Sequence, residues 1–311
     1  MVSHTDEMAP FTYELGDLAA GRRQLGKLVQ AEHVGLSRWD IPANRRNAPL
    51  HNHADEEEIA WVLRGSGFSV QQPASGGELE AHPVSEGDCV VYGRGSLAHT
   101  FLAGDHGLDV LLFAEGSDTN ITWLPRAQSM WLGPHWLPVD GEHPFVRESN
   151  AGPLTLPDPA PERAGNVVAL DQAPTVDFEN GPGKALGRFP GKAAGAKVSA
   201  LNHMAIAPGR EAAPPHCHSL EEELFVVLDG AGVVHIGEEE HDVRPGSIVS
   251  RPPGTGVAHW FTAGDDGLGV LAYSTKDPND AAFYPRTGLV ALRGLGVVFR
   301  PERVDPWSGG A

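Results

Sequence analysis

Two histidine–glutamate clusters of the same pattern stand 165 residues apart in this chain. The first is His51-Asn-His53, followed by Glu58 and then His99. The second is His216-Cys-His218, followed by Glu223 and then His259. Imidazole nitrogens and carboxylate oxygens are the donors that hold zinc, iron, manganese, nickel or copper. Each cluster is therefore a candidate site for one divalent metal ion. Three neutral imidazoles crowded into one protein interior are costly unless something takes up their lone pairs, and a metal does so at once. The full string His-x-His-x4-Glu-x6-Gly ends at Gly65 in the first copy and at Gly230 in the second. A chance His-x-His is common; this longer string, occurring twice in matching surroundings, is not. Glu57 and Glu222 stay open as alternative ligands that would need a shorter turn. Their other readings are groups that orient a ligand histidine or, more plainly, solvated turn residues.

The elements that must position these residues read as strands. In a strand, side chains alternate faces with period two, so His51 and His53 point one way and Asn52 the other. The same holds for His216 and His218, with Cys217 facing away. Glu58 lies five residues beyond His53, so a turn at 54–57 must reset the alternation before the next strand begins at Glu58. Ala60 and Val62 then share its face, as Phe225 and Val227 share that of Glu223. His99 and His259 come from a distant strand and close each site. Short apolar runs (IAWVL, VLLF, LFVVL, GVLAY) alternate with turns rich in Gly, Pro and Asp, the spacing of an all-β sandwich or barrel.

The repeat extends beyond the ligands. EEEIAWVLRGSG at 56–67 matches EEELFVVLDGAG at 221–232, and FLAGDHGLDVLLF at 101–113 matches FTAGDDGLGVLAY at 261–273. The offset falls from 165 to 160 between the two motifs, so the first copy carries an exposed hairpin tip within QQPASGGELEAHP. These boundaries divide the chain into an N-terminal domain at 1–116, a Trp- and Pro-containing linker at 117–166 and a C-terminal domain at 167–311. Trp123, Trp131 and Trp136 in the linker are open to roles as plug, strap or lid, with core packing the plain reading.

A length of 311 residues suffices for two ordinary domains. The formal net charge of -18 argues against nucleic acid or an anionic membrane surface as partner. It leaves room for a small anionic substrate, because a metal's charge dominates a pocket. No apolar run reaches the ~20 residues of a membrane-spanning helix. The first residues carry neither the basic nor the apolar region of a signal peptide. Cys89 and Cys217 are too few for a disulfide framework. The expectation is a cytoplasmic protein with reduced thiols.

At this point the residues resemble the cupin superfamily. His51, His53, Glu58 and Gly65, and again His216, His218, Glu223 and Gly230, fit its first motif without the leading Gly. The second motif fits through Pro252 and Gly254, whereas Gly93 replaces the Pro in the first copy. The spacing to His99 and His259 is longer than usual, and Ala103 and Ala263 stand at the usual Asn. The resemblance covers about 34–116 and 198–275 and extends to bacterial bicupins without an assigned reaction. It implies an all-β fold of two tandem jelly-roll barrels, that is, double-stranded β-helices. It also implies one divalent metal (Fe, Mn, Ni or Zn) per barrel, with copies able to pair through exposed sheet edges. The gentisate type is disfavoured, because as a rule it lacks the Glu ligand.

The expected function is that of a mononuclear metalloenzyme, with dioxygenase-like oxidation of a small bidentate oxygen-containing molecule first among the reactions. The alternatives are a metal-dependent isomerase or decarboxylase, or a non-catalytic small-molecule-binding or sensor protein with a structural metal. The second copy fits the motif better and is the favoured active one. Arg94 and Arg251 precede the closing histidines, where each is either a rim residue or a fork for a substrate carboxylate. His203 and His235 read as structural histidines or pocket-lining groups. Cys217 reads as packing.

Overall fold

A computed structural model describes residues 1–115, 120–132, 135–137, 142–160 and 162–302. Trp136 lies in the strand His135–Leu137, but its side chain is outside the described residues. The all-β expectation holds. Two eight-stranded sheets of matching order are each accompanied by a four-stranded sheet.

In the first barrel the long strands Glu58–Pro73 and Leu97–Glu115 lie side by side, flanked by Asp88–Tyr92 and Val34–Ile41. In the second, Glu223–Ile236 and His259–Thr275 hold the same places between Ser247–Arg251 and Ser199–Ile206. Each long pair bends where its register shifts, at 62–67 and at 227–232. The motif glycines sit at these bends. Gly65 has φ +84° and Gly230 φ +73°, and a Cβ on either would strike the carbonyl oxygen of Gly107 or Gly267. Only glycine combines that backbone with that closeness. The hairpin tip expected in the first copy separates Glu58–Pro73 from Glu80–Ser85.

The motif strands are apolar on both faces because both faces are covered. Ala60 and Val62 point into the first barrel with Tyr92, Phe101 and Val110. Ile59 and Trp61, on the opposite face, join Leu224, Val226, Leu271 and Tyr273 of the second barrel in one shared core. The Phe113 and Tyr273 rings stack across it at 5.1 Å and 12°. The barrels also exchange edge strands. Val2–His4 pairs with Ser247–Arg251 of the second barrel, and Val167–Ala169 pairs with Asp88–Tyr92 of the first.

The strands within 117–166 form sheet, where the sequence had suggested connector. Ile121–Leu124 pairs with Asn52–His53, the strand that carries the first metal motif, and with Ser129–Leu132. Its counterpart Ala281–Tyr284 pairs with Cys217–His218. Trp123 is half-buried and Trp131 exposed. The helix Pro144–Asn150 is tied to the first barrel by the fully buried Arg46, which bonds Asp17 and, at 2.9 Å, Glu148.

Glu57 and Glu222 are neither solvated turn residues nor metal-site groups. At 2% and 0% exposure they clamp one barrel to the other. Glu57 accepts from the backbone N–H groups of Lys197, Val198 and Ser199 and from the Ser199 hydroxyl. Glu222 accepts from the backbone N–H groups of Glu32 and His33 at 2.8 and 2.6 Å. Alternation is the physical reason. Each stands one residue before the inward-pointing glutamate and so faces outward, onto the other barrel.

Candidate metal centres

In both halves the turn at 54–57 or 219–222 lies between the His-x-His strand and the glutamate strand, as the alternation required. The closing histidine is registered by a reciprocal backbone pair. His99 N–H donates to His51 C=O at 2.8 Å and His51 N–H to His99 C=O at 3.2 Å. His259 and His216 repeat the arrangement at 2.9 and 3.3 Å. Distant segments are thereby locked ring beside ring, with centroids 4.6 Å apart for His51 and His99 and 4.7 Å for His216 and His259.

The ring nitrogens not used in orientation converge on one carboxylate. Around Glu58 Oε2 lie His99 Nε2 at 2.7 Å and His53 Nε2 at 3.5 Å. Around Glu223 Oε2 lie His259 Nε2 at 3.1 Å and His218 Nε2 at 3.8 Å. One donor atom from each of His51, His53, Glu58 and His99 falls within a 4.8 Å cluster, as do those of His216, His218 and Glu223. His259 stands outside that second cluster but touches its carboxylate, with Nε2 3.1 Å from Glu223 Oε2.

The other ring nitrogen fixes the tautomer. His51 Nδ1 donates to the Pro49 carbonyl and His216 Nδ1 to the Pro214 carbonyl, each at 2.8 Å. A carbonyl can only accept, so the proton sits on Nδ1 and Nε2 keeps its lone pair for a metal. Burial, then the neighbouring imidazoles, push His51 down to about 3; burial and the same crowding bring His216 down to about 4. Burial alone would raise Glu58 and Glu223, yet the surrounding histidines hold both carboxyls well below the usual range. At neutral pH His51, His53 and His216 are thus neutral, and each centre offers an ionised carboxylate. Glu223 Oε2 is buried without a hydrogen-bond partner of good geometry. A divalent cation fits this donor set, and the ligands would be the eight residues named from the sequence.

Several groups that support the ligands escaped the sequence reading. Asp280 Oδ2 accepts from His218 Nδ1 at 2.7 Å, while Oδ1 takes the backbone N–H groups of Ser219, Leu220 and Glu221. His53 Nδ1 instead meets Asn120 at 2.8 Å and Thr122 Oγ1 at 3.1 Å, with Glu56 3.3 Å away. Burial and then the nearby Glu58 charge raise Glu56 to about 8. Glu221, its counterpart, is likewise raised by burial. The missed signal is an extension of the repeat at the same 160-residue offset. Asn120 matches Asp280, and Pro125-Arg126 matches Pro285-Arg286. Asp280→Ala is expected to weaken metal binding at the second centre about 10- to 100-fold, the usual effect of losing a ligand's orienting partner. Asp280→Asn should retain part of it. Chelator competition measures both, and unchanged affinity in Asp280→Ala would remove Asp280 from the site.

Other residues fall where only the fold could put them. Arg94 is a rim residue paired with Asp55 and Glu115. Arg251 is not: it is 7% exposed and borders a narrow cleft with His218, Glu223 and His259. Cys217 borders the same cleft, although alternation had turned it away; both cysteines are buried and free. His203 stacks over Trp61 of the other barrel at 6.4 Å, and His235 stacks on Trp260 at 4.3 Å. No helix of the described residues is long and apolar enough to cross a membrane.

Residues 202–272 match the model of the cupin domain family. No curated protein matches the sequence. Among solved structures the chain is similar to Bacillus subtilis oxalate decarboxylase at pH 4.6, with TM-score 0.63 and 17% identity, covering 92% of this chain and 78% of that one. A deletion mutant of the same enzyme gives TM-score 0.63 and 16% identity over 92% and 79% of the two chains. A further oxalate decarboxylase structure, concerned with its substrate binding mode and a reaction specificity switch, gives 0.62 and 16% over the same shares. The match to the cupin domain family thus falls on residues 202–272, and the chain as a whole shares the fold of the oxalate decarboxylase structures.

Proposed function

We propose that this chain is a metalloenzyme in which each barrel binds one divalent metal ion through three His and one Glu. In this reading His51, His53, Glu58 and His99 serve the first barrel, and His216, His218, Glu223 and His259 the second. The observation that carries it is the convergence of histidine Nε2 atoms on one glutamate carboxylate in each barrel. Bound there, a divalent metal supplies Lewis acidity toward a small oxygen-bearing substrate and, if it is iron or manganese, access to redox chemistry with O2.

The chain's own residues do the rest. Pro49, Pro214 and Asp280 hold His51, His216 and His218 in the tautomer that presents Nε2, and Asn120 and Thr122 position the His53 ring. In the first barrel Tyr92 lies flat on His99 and is only 2% exposed, leaving little room for a substrate. In the second, Pro252, Thr255 and Val257 border the cleft beside His259. The second barrel is therefore the proposed seat of the reaction, with a dioxygenase-like oxidation first among the classes. Decarboxylation is the second reading, supported by the likeness to oxalate decarboxylase over 92% of the chain.

Elemental analysis of untagged protein purified without chelators tests the reading. About two divalent metals per chain are expected, with iron or manganese prominent. Oxygen-uptake and CO2-release screens then separate the two reaction classes. Metal-free protein that fails to take up any divalent ion would overturn the proposal.

A further inference from the structure

The two centres differ at one position that the sheet register makes equivalent. Tyr92 stands opposite Glu58, and Arg251 stands opposite Glu223. Residues directly paired across antiparallel strands send their side chains to the same face, so each looks toward its own metal centre. Tyr92 closes the first with a neutral wall. Its ring stacks on His99 at 3.8 Å and 5°, and its hydroxyl meets Ser69 at 2.7 Å.

Arg251 makes no such closure. Its Nη2 donates to the Val257 carbonyl at 2.8 Å and reaches Thr255 Oγ1 at 3.5 Å. Its Nε is buried with no partner. Glu223, although opposite, makes no ion pair with it among the described residues; the carboxylate turns to the histidines instead. A guanidinium that is buried, bordering a cleft and short of an acceptor is a site for an anion, because its planar edge matches a carboxylate. Val257 also lines a neighbouring groove of about 500 Å³ with Pro215, Trp260 and Pro285. Val257 borders both, with the Arg251 guanidinium on one side and, on the other, the apolar side chains of the groove and Arg286, whose charge is taken up by Glu211.

We propose that the second barrel selects a carboxylate with an apolar body, its carboxylate held by the Nε edge of Arg251 and its body against Val257, Trp260 and Pro215. This deepens the proposed function and rests on it: Arg251 becomes the specificity-determining residue, and Tyr92 the reason the first barrel lacks that specificity.

Titration calorimetry on the metal-loaded full chain tests it, with benzoate as probe and benzyl alcohol as its neutral analogue. Benzoate is expected to bind about tenfold or more tightly than benzyl alcohol, and acetate about tenfold more weakly than benzoate. Arg251→Gln should erase most of the preference for benzoate over the alcohol. Arg251→Lys, which keeps the charge but not the fork, should fall between, and it serves if the Gln variant does not fold. Metal content is measured on every sample. A variant with full metal and undiminished benzoate affinity overturns the assignment of Arg251 and leaves the metal reading standing. Metal-loaded wild type that binds no benzoate overturns the ligand class. A second barrel that holds no metal in the wild type overturns the metal reading itself, and this inference with it.

Discussion

Glu57→Ala is expected to lower stability by about 3–5 kcal/mol, because it strips the acceptor from buried donors and leaves them without water. Three backbone N–H groups and the Ser199 hydroxyl of the second barrel all converge on this one carboxylate. For a chain of this length such a loss corresponds to a fall in Tm of roughly 5–10 °C. Glu57→Gln keeps the side-chain length and one acceptor oxygen and should recover about half of the loss. Glu222→Ala, which frees two backbone donors, should cost less. Thermal or urea denaturation of the wild type and three variants gives the comparison. A Glu57→Ala protein that melts with the wild type would mean that solvent or a rearranged loop serves those donors. Each clamp residue directly precedes a proposed metal ligand, Glu58 or Glu223, so loosening it should also weaken metal binding in the barrel that owns the glutamate. Chelator competition on the same samples reads this effect.

His218→Ala should empty the second centre and leave the first loaded, taking the metal content from about two ions to about one per chain. The variant loses a donor lying 3.8 Å from Glu223 and the ring that Asp280 holds in place. With the second barrel as the seat of reaction, turnover of any substrate found should drop by about 10³-fold or more, since the Lewis acid is gone. His53→Ala should likewise remove about one ion but spare most of the turnover, because Tyr92 already covers that centre. Elemental analysis and steady-state rates on the two variants and their combination decide the matter. Full activity in His218→Ala would end the catalytic reading of the second barrel. Equal losses in both variants would assign the reaction to both barrels.

Much of this is legible in the amino-acid sequence. Periodicity two sent His51 and His53 to one face, required a turn before Glu58 and placed Ala60 and Val62 beside it. The duplicated motif announced two equivalent barrels. Reading stopped short where a repeat weakened. Asn120 and Asp280 do equivalent work through different side chains, and the matching Pro-Arg pair lay in a stretch that looked like linker. Glu57 and Glu222 misled for another reason. Next to charged neighbours in a turn, a glutamate looks solvated, and nothing local reveals that a second barrel covers it.

What the amino-acid sequence determined by itself was therefore local and periodic: the strands, the two sets of donors, and the all-β architecture. Each follows from alternation along the chain and from residue type. Tertiary structure alone decided which glutamate faces the metal donors and which faces the other barrel, and that Arg251 is enclosed while Arg94 is not. It also decided that Tyr92 caps one centre where Arg251 borders the other. Those outcomes depend on what packs against a residue from far along the chain. Burial, unlike alternation, is a property of the assembled fold.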